Sequence, residues 1–149
     1  METTSFNGFE FKPIYKCPFS SVYYNETLMM ALCIAEVEYI PIDNFKAIFH
    51  SISDFIEKST IQHLVFDKRN LRTFHQPSME WYFAIWKPIV KLKGLVNHYK
   101  ILPEPEWFVQ AVMAGKHEIF KKYDKDLLNG INVYYVDSIE SAIESLNTK

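Results

Sequence analysis

The chain has 149 residues, enough for one domain with a substantial core. Sixteen basic and 18 acidic side chains leave a formal charge of −2, and the lysines are interleaved with acids, as in "KHEIFKKYDKD"; this argues against a basic stripe for nucleic acid. Aromatic residues make up 16% of the chain and supply the apolar area that offsets chain entropy, which excludes a disordered protein.

In chain order, residues 1–8 read as a polar, flexible N-terminus, followed by a single domain over 9–149 with no linker, repeat or low-complexity segment. In "FEFKPIYKCP", Pro13 and Pro18 remove ladder donors and confine the segment to an edge strand or a loop. "SSVYY" and "LMMALCIAEV" flank the polar turn "NET" and predict a hairpin. "IDNFKAIFHSISDFIEKS" spaces Phe45, Ile48, Phe49, Ile52, Phe55 and Ile56 as one helical stripe, with Asp43 or Asn44 as N-cap. "IQHLVF" is a short apolar strand. "PSMEWYFAIWKPIVKLKG" is a second helix with Pro77 at its favoured first position, and Pro88 predicts a kink or break near Trp86. "VNHYKIL" is a strand. "PEWFVQAVMAGKHEIFKKY" is a third helix with Phe108, Ala111, Val112, Gly115, Ile119 and Tyr123 on one face. "INVYYV" is the last strand, and "DSIESAIESL" a closing helix with Asp137 and Glu140 spaced as an acidic capping box. The expected fold is α/β: an N-terminal β-hairpin, then alternating strands and helices. That order gives a mostly parallel mixed sheet with about four helices and right-handed crossovers.

The sequence carries no catalytic signature. With four glycines it has no phosphate-binding glycine loop, and no nucleophile elbow occurs. The five histidines lack ligand spacing, read as surface or half-buried, and imply no metal and no cofactor. Cys17 and Cys33 form no CxxC pair and read as reduced packing residues of a cytoplasmic protein. Glu36 and Glu38 alternate with apolar residues and mark the solvent side of a strand end. No secretory leader and no run of the ~20 apolar residues needed for a membrane span is evident.

One stretch concentrates chemistry: "LVFDKRNLRTFHQPSMEW". It holds both arginines, and it lies beyond the carboxyl end of an apolar strand, where open α/β sheets meet ligands and partners. Asp67, Lys68, Arg69, Arg72, His75 and Ser78 are the candidate partner- or anion-binding residues, since the planar guanidinium can hold a carboxylate or phosphate by two hydrogen bonds. A structural alternative fits equally: Asp67 pairs with one arginine and ties the loop down. Ser78 reads first as helix-start chemistry and second as a phosphorylation position. The group "MEWYFAIW" holds more aromatic surface than one helix face can bury. Either some of it is exposed, or Trp81, Tyr82, Trp86 and Trp107 line an apolar pocket or a homodimer contact, or the helix packs on two sides.

From about Val22 onward the order of elements resembles the STAS superfamily (sulfate-transporter and anti-sigma-factor-antagonist domains), in particular its SpoIIAA-like branch. The resemblance rests on "HLVFDKRNL", the Trp-rich helix "MEWYFAIWKPIVKLKG", the strand "HYKILPE", the helix after it, and "INVYYVDSIESAIESL". It implies a non-catalytic βα domain that binds another protein or, in some branches, a small apolar ligand. The chain departs from the antagonists' Asp-Ser-x-Gly-type phosphorylation segment. Thr73 and Ser78 are the only hydroxyls between Asp67 and Trp81, and neither matches, so no phosphosite carries over.

Overall fold

The computed structural model describes residues 2–73, 75–123 and 125–147. Seven strands form one sheet in sequential order: β1 (Thr4–Phe6), β2 (Phe9–Cys17), β3 (Ser20–Asn25), β4 (Met30–Ala35), β5 (His63–Asp67), β6 (Asn97–Ile101) and β7 (Asn132–Tyr135). The pairings from β1 to β4 are antiparallel, and those from β4 to β7 are parallel. The α/β expectation holds, in a mixed sheet whose three parallel pairings are matched by three antiparallel ones, so the antiparallel part is larger than a single hairpin. Helix α1 (Ile42–Ile56) crosses from β4 to β5. The next crossover is one continuous helical unit: α2 (Gln76–Trp81), a π-helical turn (Tyr82–Trp86) and α3 (Lys87–Leu92). Helix α4 (Glu106–Lys122) leads to β7, and α5 (Ile139–Asn147) closes the chain.

The three crossovers pack on one face of the sheet, around Phe45, Phe49, Leu64, Phe66, Tyr82, Trp86 and Phe108. On the other face α5 inserts Ile139, Ala142 and Ile143 against Leu32, Val65, Tyr99 and Ile101. Sequential order with every crossover on the same side is what a constant hand of crossover produces. Strands β5 and β6 are therefore covered twice. Residues 64–67 and 98–101 are all buried, including Asp67, His98 and Lys100. No helix among the described residues is long and apolar enough to cross a membrane.

Several local expectations change. The segment read as loose contains β1, folded onto β2 through Asn7 (φ 51) and Gly8 (φ 83), the two left-handed positions of a tight hairpin turn. Strand β2 pairs with β1 through Phe9–Phe11 and with β3 beyond it. Pro13 lies past the β1 ladder beside a register shift, where its missing N–H leaves no bond unmade. Helix α1 starts at Ile42, ahead of both proposed caps, Asp43 and Asn44. Pro41 stands at the cap, with no side-chain cap bond, and its carbonyl accepts the Phe45 N–H. In α5 the cap is Ser138, whose Oγ accepts the Ser141 N–H at 3.0 Å, in place of the Asp137–Glu140 box. The break expected before Pro88 is the π turn: the Lys87 N–H bonds the carbonyl of Tyr82, five residues back.

That π turn decides the fate of the aromatic group. The wider turn brings Tyr82, Phe83 and Trp86 inward together, all buried, with Tyr82 and Trp86 stacked at 5.5 Å and 12°. Trp86 donates its indole N–H to the Phe49 carbonyl at 2.9 Å, which locks this unit to α1. The outward positions are taken by Ile85, Ile89 and Leu92.

Candidate functional site

The carboxyl ends of β4 to β7 form one rim, and the loop leaving β5 runs across it. Four backbone-directed bonds fix that loop. The Lys68 N–H donates to the Ile101 carbonyl, the Leu71 N–H to Lys68, the Arg72 N–H to Glu38, and the Asn70 side-chain amide to Ala35. Asp67, the last residue of β5, accepts the Arg69 guanidinium through both oxygens, Nε to Oδ1 at 3.0 Å and Nη2 to Oδ2 at 2.7 Å. The same Oδ1 accepts the Arg69 backbone N–H at 3.1 Å. Hydrogen bonding to Asp67 pushes the Arg69 guanidinium further up from its ordinary value. The Arg69 side chain remains 48% exposed against 8% for Asp67, so solvent screening leaves the pair worth only about 1 kcal/mol. Arg72 donates Nη1 to the carbonyls of Arg69 and Leu71, each at 2.7 Å, with the rest of the side chain toward solvent.

Of the candidate residues in this stretch, Asp67, Arg69 and Arg72 are brought together. His75 and Ser78 form a separate pair at the start of α2, with Nδ1 and Oγ 2.8 Å apart. Ser78 is 2% exposed, so its hydroxyl is closed to a modifying enzyme unless α2 opens. Lys68 turns away from the rim into the core, 2% exposed, with Nζ 5.1 Å from the centre of the Phe66 ring. The four aromatic candidates share no cavity. Tyr82 and Trp86 are core, Trp81 is half-buried on Phe45, and Trp107 is exposed at the start of α4.

Lys68 leads to a feature the sequence reading missed. Lys87 on α3 and Lys100 on β6 are also fully buried, and Lys116 of α4 joins them. The Phe83 ring is the common surface. Its centre lies 4.6 Å from the Nζ of Lys87, 4.2 Å from that of Lys100 and 5.2 Å from that of Lys116. The neighbouring Tyr82 ring lies 5.0 and 5.3 Å from the first two. Cation–π attraction offsets part of the cost of burying an ammonium, but the positive charges repel each other.

Among the described residues, the nitrogens of Lys87 and Lys100 have no oxygen acceptor and the buried Tyr82 hydroxyl has no partner. The two amines lie close enough to interact, and one can donate to the other only when the second has lost its proton. Burial, followed by the neighbouring lysines, holds Lys87 and Lys100 far below the ordinary lysine value. Burial and Lys116 bring Lys68 down to about 7. His98, on the same face of β6 as Lys100, is buried rather than half-exposed as expected. Burial and the Lys87 and Lys100 charges hold it well below the ordinary histidine range. The Leu95 backbone offsets this only in part, and neither ring nitrogen reaches full hydrogen-bond geometry.

Two depressions open on the rim. One of about 400 Å³ is walled by Arg69, Arg72, Glu104 and Pro105. The other, about 560 Å³, shares Arg69 and Glu104 and reaches inward to Lys100, Met113, Tyr135 and Asp137. At its edge Lys116 donates to the Tyr135 hydroxyl at 2.9 Å.

Both cysteines are free thiols, and burial pushes Cys33 up to about 12, which makes it a poor nucleophile. Among the described residues no group of three or more His, Cys, Asp or Glu side chains is gathered for a metal ion. Comparison with protein-family models, with curated proteins and with solved structures finds no match.

Proposed function

We propose that the chain is a non-catalytic recognition module of the STAS-like kind, docking an acidic group of a partner protein on the rim after β5. The observation that carries this reading is the held pair of exposed arginines beside the 400 Å³ depression. The loop is pinned to β4 by the Asn70 side-chain amide and to β6 by the Lys68 N–H, so little order has to be gained on binding. Arg69 spends its fork on Asp67, which fixes its direction and leaves Nη1 for a ligand. Arg72 presents the opposite edge of the same depression. The apolar-ligand alternative draws no support from the packing, because Tyr82 and Trp86 fill the core rather than line a cavity.

The test is affinity capture from native cell extract with wild type and the Arg69→Ala/Arg72→Ala double variant. The reading expects a partner retained by wild type and lost at least tenfold in the double variant. A partner retained equally by both refutes it.

A further inference from the structure

The lysine cluster is expensive to keep and does nothing for the rim described above. The buried amines of Lys87 and Lys100 converge on Tyr82 and Phe83, with the half-buried Lys116 also over Phe83 and the buried Lys68 against Phe66. Among the described residues no carboxylate forms an ion pair with any of them. A buried cation without a counter-charge costs several kcal/mol, and methionine or leucine would fill the same volume without that cost. The Tyr82 hydroxyl adds a buried donor with no acceptor among the described residues. What the cluster lacks is a negatively charged acceptor. Of the cluster, Lys100 lines the 560 Å³ rim depression, beside Tyr135, whose hydroxyl accepts from Lys116.

We propose that Lys68, Lys87, Lys100 and Lys116, with the Tyr82 hydroxyl, form a receptor for a phosphate group, free or carried on a small molecule, entering between Lys116 and Tyr135. Three strands of argument converge on this ligand class. A multivalent oxyanion supplies several acceptor oxygens to amines that approach from different directions, whereas a monovalent, planar carboxylate supplies two. Lysine acts as a point charge that tolerates such varied approach, where arginine would demand a planar match. The depression, at about 560 Å³, has room for a phosphorylated small molecule as well as the bare ion.

Two carboxylates line the outer part of this depression. Glu104 and Asp137 are both exposed and therefore well screened, and Asp67 is neutralised by Arg69. The Lys116–Tyr135 hydrogen bond is exposed, so it can open without unfolding the sheet.

The inference goes beyond the rim reading and is tested apart from it. Isothermal titration of the full chain with inorganic phosphate and with glycerol 3-phosphate, at constant ionic strength set by sodium chloride, reads the site. Wild type is expected to bind at least one of the two saturably with a submillimolar Kd. Tighter binding of the ester identifies a phosphorylated small molecule as the ligand, and tighter binding of inorganic phosphate identifies the free ion. Lys100→Met and Lys87→Met are each expected to weaken binding at least tenfold, while Arg69→Ala/Arg72→Ala weakens it less than threefold. Failure of both probes to saturate at 10 mM with wild type overturns the proposal. So does equal binding by wild type and Lys100→Met, or loss in the arginine variant with retention in Lys100→Met, which would put the anion on the rim.

Should the methionine variants not fold, reductive methylation of wild type gives the second reading. Phosphate is expected to slow modification of Lys116 and Lys100 at least threefold, measured by peptide mass spectrometry. Unchanged rates with and without 10 mM phosphate overturn the site.

Discussion

Arg69 and Lys100 wall the same depression, yet their circumstances are opposite. Arg69 is half exposed and holds a carboxylate with two hydrogen bonds, where water already pays most of the cost of its charge. Lys100 is 1% exposed and has no oxygen acceptor among the described residues. Partnering is therefore richest where it contributes least and missing where its absence costs most. A fold under stability pressure alone would place a bidentate carboxylate on the buried cation. The difference separates a loop that is held in shape from a pocket that is held in readiness.

The comparison can be broken first at the surface the lysines share. Phe83→Ala is expected to lower unfolding free energy by about 3–5 kcal/mol, as for a buried aromatic in a packed core. Denaturant melts that show less than about 1 kcal/mol would mean the lysines line open space instead. On the rim side, Asp67→Ala removes three hydrogen bonds and is expected to cost about 1–2 kcal/mol by the same melts.

The pH dependence sharpens the contrast. Lys68, Lys87 and Lys100 have folded-state pKa values below their unfolded value of 10.5, so between the two the unfolded chain binds more protons. Stability must then rise with pH, for Lys68 from about 7 toward 10, by up to about 1.4 kcal/mol per pH unit for each lysine. Lys100→Met is expected to flatten that slope and to leave stability at pH 7 unchanged or about 1 kcal/mol higher. A variant with the same slope as wild type would contradict a depressed Lys100. The smallest effect belongs to Arg72→Ala, expected within about 0.5 kcal/mol of wild type because its side chain is solvated.

The sequence makes most of the scaffold legible and little of the pocket. The α1 stripe, Pro77 at the start of α2 and the strand–turn–strand at "SSVYYNETLMMALCIA" follow from periodicity and turn chemistry, because one face of each element is buried. The Asn7-Gly8 turn carried its own signal, an Asn-Gly pair between aromatic residues, lost among polar neighbours. The π turn had only an indirect sign in Pro88. Its consequence, that Tyr82, Phe83 and Trp86 all face inward, contradicts the count of one helical face. Of the cluster, only Lys68 stood out, and for the wrong reason, since it follows β5 but points away from the rim. The signal for Lys100 lay in "NHYKIL". A central strand covered on both faces has no solvent side, so His98 and Lys100 had to be buried with whatever shares their face. Lys87 and Lys116 join them through α3 and α4, a tertiary fact that no local pattern encodes.

The central claim is that these lysines sit in the core without a counter-charge. Nuclear magnetic resonance titration of 13Cε-labelled lysines in the ligand-free chain tests it most directly. The account predicts Lys68 titrating at about 7 and Lys87 and Lys100 well below 10.5, with each resonance assigned by its methionine variant. All lysines titrating together near 10.5 would contradict it.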